Sequence, residues 1–358
     1  IEPIDLIVVN LYAFEKSVAD PKCSLEQAIE NIDIGGPTML RAAAKNYHDV
    51  IVVVDPADYN ELIDRITKEQ VTEEYRLHLA LKVFERTAGY DAAISEFLAQ
   101  KVSAASDSSK KFPKKFVPAF TKVQDLRYGE NPHQQAALYR SPAASGGVVN
   151  AKQLQGKELS FNNFLDLDSA FACCCEFFEP ACVIVKHLNP CGVALGADLT
   201  EAFLKARASD PVSAFGGIVA FNRPVHKDVA TVISETFFEA IIAPQYTDGA
   251  LEIFKNKKNM RVMVLDDFKL TATEFDLRKV SGGLLVQDAD RQLIAVAGCS
   301  VVSKRKPTSD EISDLEFAWR VVKHVKSNAI VFAKNCQTLG VGAGQMSRVD
   351  SVRLASEK

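Results

Sequence analysis

No run in this 358-residue chain is apolar over anything near the roughly 20 residues that a membrane-spanning helix requires. A secretory leader pattern is not visible either. The chain also lacks a basic excess. Its 42 Lys and Arg stand against 46 Asp and Glu, and a net charge of −4 has the wrong sign for a broad nucleic-acid surface. A local basic pocket for one phosphate is compatible with that balance. Eight cysteines are present, yet no pair has the C-x2-C spacing of a zinc site, and no His-x-Glu occurs. Cys173, Cys174 and Cys175 are consecutive in the helix-like "AFACCCEFFEP", which suits small core residues better than a disulfide framework. A reducing, cytoplasmic compartment is the expected home. Core material, by contrast, is ample: 47% of residues are hydrophobic and 25% charged, over a length that implies two or three domains.

The first stretch alternates strands and helices. "IDLIVVNLY" and "DVIVVVD" read as strands. "SLEQAIENI" reads as an amphipathic helix with Ser24 as N-cap and Gln27 as its reciprocal partner. "DIGGPTMLRAAAKN" is a glycine turn opening into a helix, and "PADYNELIDRI" and "TEEYRLHLALKVFERTAGYDAAISEFLAQ" have helical spacing. Such alternation implies a largely parallel sheet. Residues 101–120, rich in Ser, Lys and Pro, form the best linker, and the domain boundary is placed near residue 119.

The second stretch contains a repeat. "ACVIVKHLNPCGVALG", residues 181–196, joins a run fit for a sheet centre to an adjacent lysine and histidine. Slid by 148 positions, it lies over "AIVFAKNCQTLGVGAG", residues 329–344, without a gap. Ala181, Val183, Lys186, Gly192, Val193 and Gly196 meet Ala329, Val331, Lys334, Gly340, Val341 and Gly344, and Ala170-Phe171 falls over Ala318-Trp319. The reading is two related helix-strand-turn-strand subdomains. Their equivalent strand ends carry Lys186-His187 and Lys334-Asn335. In α/β sheets ligands sit beyond the carboxyl ends of strands. There a histidine can move a proton at neutral pH, a neighbouring lysine can hold an anion, and an amide can orient a carbonyl without titrating.

These segments resemble a known family, the bifunctional purine-biosynthesis enzymes that combine phosphoribosylaminoimidazolecarboxamide (AICAR) formyltransferase with IMP cyclohydrolase. The resemblance is carried by "VVNLYAF", "NIDIGGPTMLRAAAKN", "RYGENPHQ", "CVIVKHLNPCGVALG", "DPVSAFGGIVAFN", "EAIIAP", "SGGLLVQD" and "SNAIVFAKNCQTLGVGAGQMSR", in family order across nearly the whole chain. It implies an α/β protein: a methylglyoxal-synthase-like cyclohydrolase domain over 1–119, then a transformylase domain over 120–358 built from two cytidine-deaminase-like subdomains. The family's Ser-Thr-Gly-Gly and Lys-Thr-Leu-His-Pro motifs do not precede Ile1, and its Ser-Asp-Ala-Phe-Phe-Pro-Phe does not follow Lys358. Both termini are therefore expected to be cut.

The implied reactions are formyl transfer from 10-formyltetrahydrofolate to the 5-amino group of AICAR, then dehydrative closure to IMP. By resemblance His187 is the base, Lys186 its proton or charge partner, and Asn335 the group that holds the formyl oxygen or orients the amine. His187 and Asn335 are expected to converge on one acceptor nitrogen. Arg127 and Tyr128 would bind the nucleotide phosphate, and Phe215 would lie against an aromatic ring, with Gly216 and Gly217 allowing close approach. Glu239 would contact the folate pterin. His133 and Arg348 are pocket residues without an assigned step. In the first domain the resemblance points to Tyr12, Asp33 and Lys45, with Gly35 and Gly36 ahead of a helix N-terminus that can hold an anion. No catalytic metal is implied, a structural monovalent cation is left open, and a homodimer sharing residues across its boundary is expected. Two other readings stand beside this one. A hydrolytic deaminase would need a metal triad that the sequence does not provide. A noncatalytic purine-nucleotide or folate-binding protein would bind without turnover.

Overall fold

The computed structural model describes residues 3–105, 112–141, 144, 146–270 and 275–358. The chain divides into two compact units, Ile1–Ala119 and Phe120–Lys358.

In the first unit, β1 (Leu6–Val8) pairs in parallel with β2 (Ile51–Val53), Leu6 opposite Ile51. Between them run α1 (Phe14–Val18), α2 (Leu25–Glu30) and α3 (Gly35–Lys45), and after them α4 (Tyr59–Thr67) and α5 (Glu73–Ala105). The Ser24–Gln27 capping box forms as expected. Two expectations need correction. β1 spans three residues and is largely exposed, because the chain leaves the sheet after Val9 and turns toward Asp33. α5 runs past Gln100 to Ala105, into the expected linker, and the linker's residues 106–111 lie outside the described residues. One face of β2, Val52, packs with Leu40, Ala43 and Val83 between α3 and α5, while Ile51 and Val53 meet Leu62 and Leu79 on the other face.

The second unit opens with a hairpin of β3 (Thr121–Leu126) and β4 (Ala136–Arg140). The chain then runs through β5 (Lys152–Gln155), α6 (Phe161–Cys174), β6 (Ala181–Lys186), β7 (Asn189–Leu195), α7 (Leu199–Ser209), α8 (Pro211–Ala214), β8 (Ile218–Phe221), α9 (Lys227–Ser234), β9 (Ala240–Ala243), α10 (Asp248–Phe254) and β10 (Arg261–Val264). A second hairpin, β11 (Phe275–Val280) with β12 (Gly283–Asp288), precedes α11 (Ser309–Val322), β13 (Ile330–Lys334), β14 (Gln337–Gly342) and α12 (Arg348–Glu357). The central sheet has eight strands in the order β13-β14-β7-β6-β8-β9-β10-β5. It is mixed: β8, β9 and β10 are mutually parallel, and the other pairs are antiparallel.

Alternation along β6 explains the layers. Cys182 and Ile184 join Phe203, Val229 and Phe254 under α7, α9 and α10, whereas Ala181, Val183 and Val185 join Leu167, Phe171, Phe317 and Val321 under α6 and α11. A strand buried on both faces reads as a continuous apolar run, as "ACVIV" does. The two halves repeat in detail. Each first helix begins with a capping box, Ser160 with Asn163 and Thr308 with Glu311. Each hairpin has an irregularity at equivalent positions, Ile184/Val185 and Phe332/Ala333. Gly192 and Gly340 lie directly beneath helix backbone: an added Cβ would fall on the Ala206 and Ala355 carbonyl oxygens.

Candidate active site

The His187 turn is made by its neighbours rather than by its own preference. β6 and β7 are joined by two residues, His187 at φ 53° and Leu188 at φ 65°. Two-residue hairpins favour such left-handed pairs, but usually with Asn or Gly in them, and a bulky residue there costs of the order of 1–3 kcal/mol. The Asp166 carboxylate of α6 accepts both turn amides, from His187 at 3.2 Å and Leu188 at 2.7 Å. Asn189 donates its amide to the His187 carbonyl at 2.9 Å and accepts the Lys326 N–H at 3.0 Å, tying the turn to the second half of the unit. His187 itself is exposed.

Several predicted residues meet at this edge of the sheet. Lys186 donates its ammonium to the Phe215 carbonyl at 2.8 Å, so lysine, histidine and the Phe215–Gly217 loop adjoin. Gly216 has φ +73° and donates to the Phe237 carbonyl at 2.8 Å. The Phe215 and Phe237 rings lie 5.5 Å apart, leaving Phe215 57% exposed. The Glu239 N–H reaches the Gly217 carbonyl at 3.0 Å, and the Glu239 carboxylate is held by Arg261, whose side chain is nearly buried. Lys186 and His187 line a cavity of about 190 Å³ with Asn189, Cys191, Ser209 and Asp210. That is below the usual 300–1,000 Å³ of a small-molecule site, enough for a reacting head group and not for a nucleotide with its folate. Burial raises the Asp210 carboxyl, but Lys358 at 2.7 Å and Ser213 outweigh it and hold it below its ordinary value. Burial, with Asp210 nearby, pushes the Cys191 thiol up to about 12, so it is a neutral wall rather than a nucleophile.

Arg127 and Tyr128 follow β3, the guanidinium 5.4 Å from the ring centre. The same loop is held to the start of α6, where Asn162 donates to the Glu130 carbonyl at 3.3 Å. Asn162 lies one turn before Asp166, which brings this loop to the His187 edge. His133 is exposed in the β3–β4 connection, and Arg348 is exposed at the start of α12.

Asn335 is not there. β14 runs antiparallel to β7, with Gln337 opposite Ala194 at the far end of β7 from Asn189. The Asn335 turn therefore opens at the opposite edge of the sheet, on the order of 20 Å from His187 given the length of β7. The expected convergence does not occur within one chain. The carboxyl-end rule also needs amending, because β8, β9 and β10 begin at the His187 edge rather than end there.

In the first unit, Tyr12, Asp33, Gly35 and Gly36 come together. Asp33 accepts the Tyr12 N–H at 3.2 Å and the Gly36 N–H at 2.7 Å, and its own N–H donates to the buried Tyr90 hydroxyl at 2.9 Å. Gly35 and Gly36 are the first residues of α3 rather than a turn before it. Asp33 thus takes one of the amides an anion would use, and it sits where a Gly36 side chain would be. Lys45 closes the far end of α3, about 15 Å of helix rise away, and is not brought to Tyr12 and Asp33.

Asp166, Asn189, Asp210 and Arg261 escape a motif search because their roles depend on packing between distant segments. Asp166 had one usable signal: Asp314 stands 148 residues later, at the repeat offset. Among the described residues no group of three His, Cys, Asp or Glu could hold a metal ion, and no helix is long and apolar enough to cross a membrane. All eight cysteines are free.

Comparison with solved structures finds a match to a chain titled "Crystal structure of ForH", 35% identical over 27% of this chain and 52% of that one, with a TM-score of 0.25. The chain thus spans about half the length of that relative. A family model described as "AICARFT/IMPCHase bienzyme" matches residues 43–358, and the chain belongs to that family.

Proposed function

We propose, from that membership, that the chain carries the last two steps of IMP synthesis: formyl transfer in unit 120–358 and ring closure in unit 1–119. The two halves of the second unit are read as cytidine-deaminase-like subdomains and the first unit as methylglyoxal-synthase-like. The observation that best supports the reading is the cavity shared by Lys186 and His187 beside the Phe215–Gly217 loop.

The AICAR amine is a poor nucleophile, because its ring and carboxamide withdraw the lone pair. As the amine nitrogen bonds to the formyl carbon of 10-formyltetrahydrofolate, the carbonyl pair moves to oxygen and the nitrogen becomes an ammonium. His187 takes that proton. Lys186 supplies positive charge toward the oxyanion. The oxyanion then collapses, expelling N10 of tetrahydrofolate, which receives a proton. Phe215 offers an exposed ring for stacking, Arg127 and Tyr128 a phosphate contact, and Glu239 a carboxylate already oriented by Arg261. Asn335 enters this site only from a second copy of the chain, consistent with a homodimer in which each copy lends its far turn to the other.

Ring closure in the first unit joins the carboxamide nitrogen to the formyl carbon with loss of water. Asp33, which accepts the Tyr12 and Gly36 backbone N–H groups, is read as the proton-transfer group, with Tyr12 and the Gly35–Gly36 helix start gathered around it. Lys45 would act only after a rearrangement of α3 or on a remote part of the nucleotide. The test is steady-state formyl transfer by the full-length protein against the His187→Ala variant. Loss of turnover with nucleotide still bound supports the reading, whereas parental turnover removes it. Tight nucleotide binding without turnover by the parent would favour the noncatalytic reading.

A further inference from the structure

We propose that Asp166 is a positioning residue that fixes the His187 turn, and with it the aim of the imidazole. Its catalytic consequence rests on the reading of His187 as proton acceptor. Both carboxylate oxygens are committed to the turn, Oδ2 to the His187 N–H at 3.2 Å and Oδ1 to the Leu188 N–H at 2.7 Å. Charge-assisted bonds of this kind are stronger than neutral ones. The turn needs them. Both of its residues have positive φ, and Leu188 is outside the Gly, Asn, Asp and His types that tolerate it best, so the local sequence favours this conformation only weakly.

Duplication supplies an independent observation. Asp314, at the same 148-residue offset, accepts the Cys336 N–H at 2.8 Å beneath a turn with φ 54° at Asn335 and 51° at Cys336. A turn that only needed to close could do so with glycine. Here the two turns keep His187 and Asn335 as side chains and place the stabilising group on the preceding helix. That helix is a firm mount: α6 is anchored before Asp166 by its capping box and after it by buried Leu167, Ala170 and Phe171.

The experiment uses the full-length protein with Asp166→Ala, Asp166→Asn and the double variant Asp166→Ala/Leu188→Gly. Loss of aim should lower kcat for formyl transfer about 10²-fold in Asp166→Ala. The nucleotide KM should stay within about twofold, since ground-state binding is untouched. Glycine at 188 adopts positive φ freely, so the double variant should recover at least about tenfold over Asp166→Ala. Amide hydrogen exchange reads the turn directly: His187 and Leu188 should lose protection in Asp166→Ala, while Asp314→Ala should expose Cys336 and spare them. If Asp166→Ala does not fold, Asp166→Asn keeps the shape and one acceptor and should expose one of the two amides. Parental protection of both amides, or an activity loss that tracks the unfolded fraction and is not rescued at 188, overturns the proposal. Parental turnover in His187→Ala would remove the catalytic reading alone, leaving the exchange result to judge Asp166.

Discussion

The β6–β7 and β13–β14 hairpins are the same device in two settings. Each ends a strand in lysine, turns through two left-handed residues over a helix aspartate, and passes a glycine beneath a following helix. One sits mid-sheet, with β6 buried on both faces, and delivers histidine. The other is at the sheet edge, with β13 only partly covered, and delivers asparagine. Local geometry is therefore set by the repeat, while chemistry is set by one residue and by where the hairpin lies. Antiparallel packing of β14 on β7 points the two turns in opposite directions, so duplication places His187 and Asn335 at opposite edges of the sheet.

The sharpest way to break the comparison is His187→Ala, which should lower formyl transfer about 10²–10⁴-fold in initial-rate assays. A loss equally large from removing the lysine of the edge hairpin, Lys334→Ala, would mean that the central setting confers no special role. Next comes the seam between halves, where buried Glu176 accepts from Lys323 at 2.9 Å and His324 at 3.1 Å. Glu176→Gln should cost about 3–5 kcal/mol in denaturant unfolding by leaving the largely buried Lys323 with only the exposed Asp290, 4.0 Å away. Burial raises the Glu176 carboxyl, but His324 and Lys323 together outweigh it and hold it below its ordinary value. A depressed folded value means stability present above the unfolded value and lost as pH falls through the folded one. The variant should accordingly show a flatter acid limb in thermal scans as pH falls through and below the ordinary carboxylate range.

Smaller effects test the shared geometry. Gly192→Ala and Gly340→Ala should each cost about 1–3 kcal/mol by forcing a methyl onto helix backbone, with the central Gly192 the worse. Equal costs would show that the edge hairpin is held as firmly as the central one. Smallest are the helix caps: Ser160→Ala and Thr308→Ala should each lose about 1 kcal/mol in chemical denaturation.

Much of this was legible in the chain. The apolar run of β6, the Ser24–Gln27 box and the 148-residue repeat are local patterns, and local patterns survive folding. The separation of His187 and Asn335 to opposite edges of the sheet was not legible, because a repeat carries no information about the symmetry that packs its copies. The Glu239–Arg261 pair was hidden likewise, since its members lie 22 residues apart with β9 and α10 between them. The helical extension of α5 shows the reverse case. A Ser- and Lys-rich stretch looked like linker, yet its first residues continue a helix already nucleated and packed.

The most direct test mixes two full-length variants, His187→Ala and Asn335→Ala, each nearly inactive alone. If the imidazole of one copy works with the carboxamide of another, half of randomly reassorted dimers hold one intact site, and about a quarter of the parental formyl-transfer rate returns. No recovery after verified subunit exchange would contradict the account.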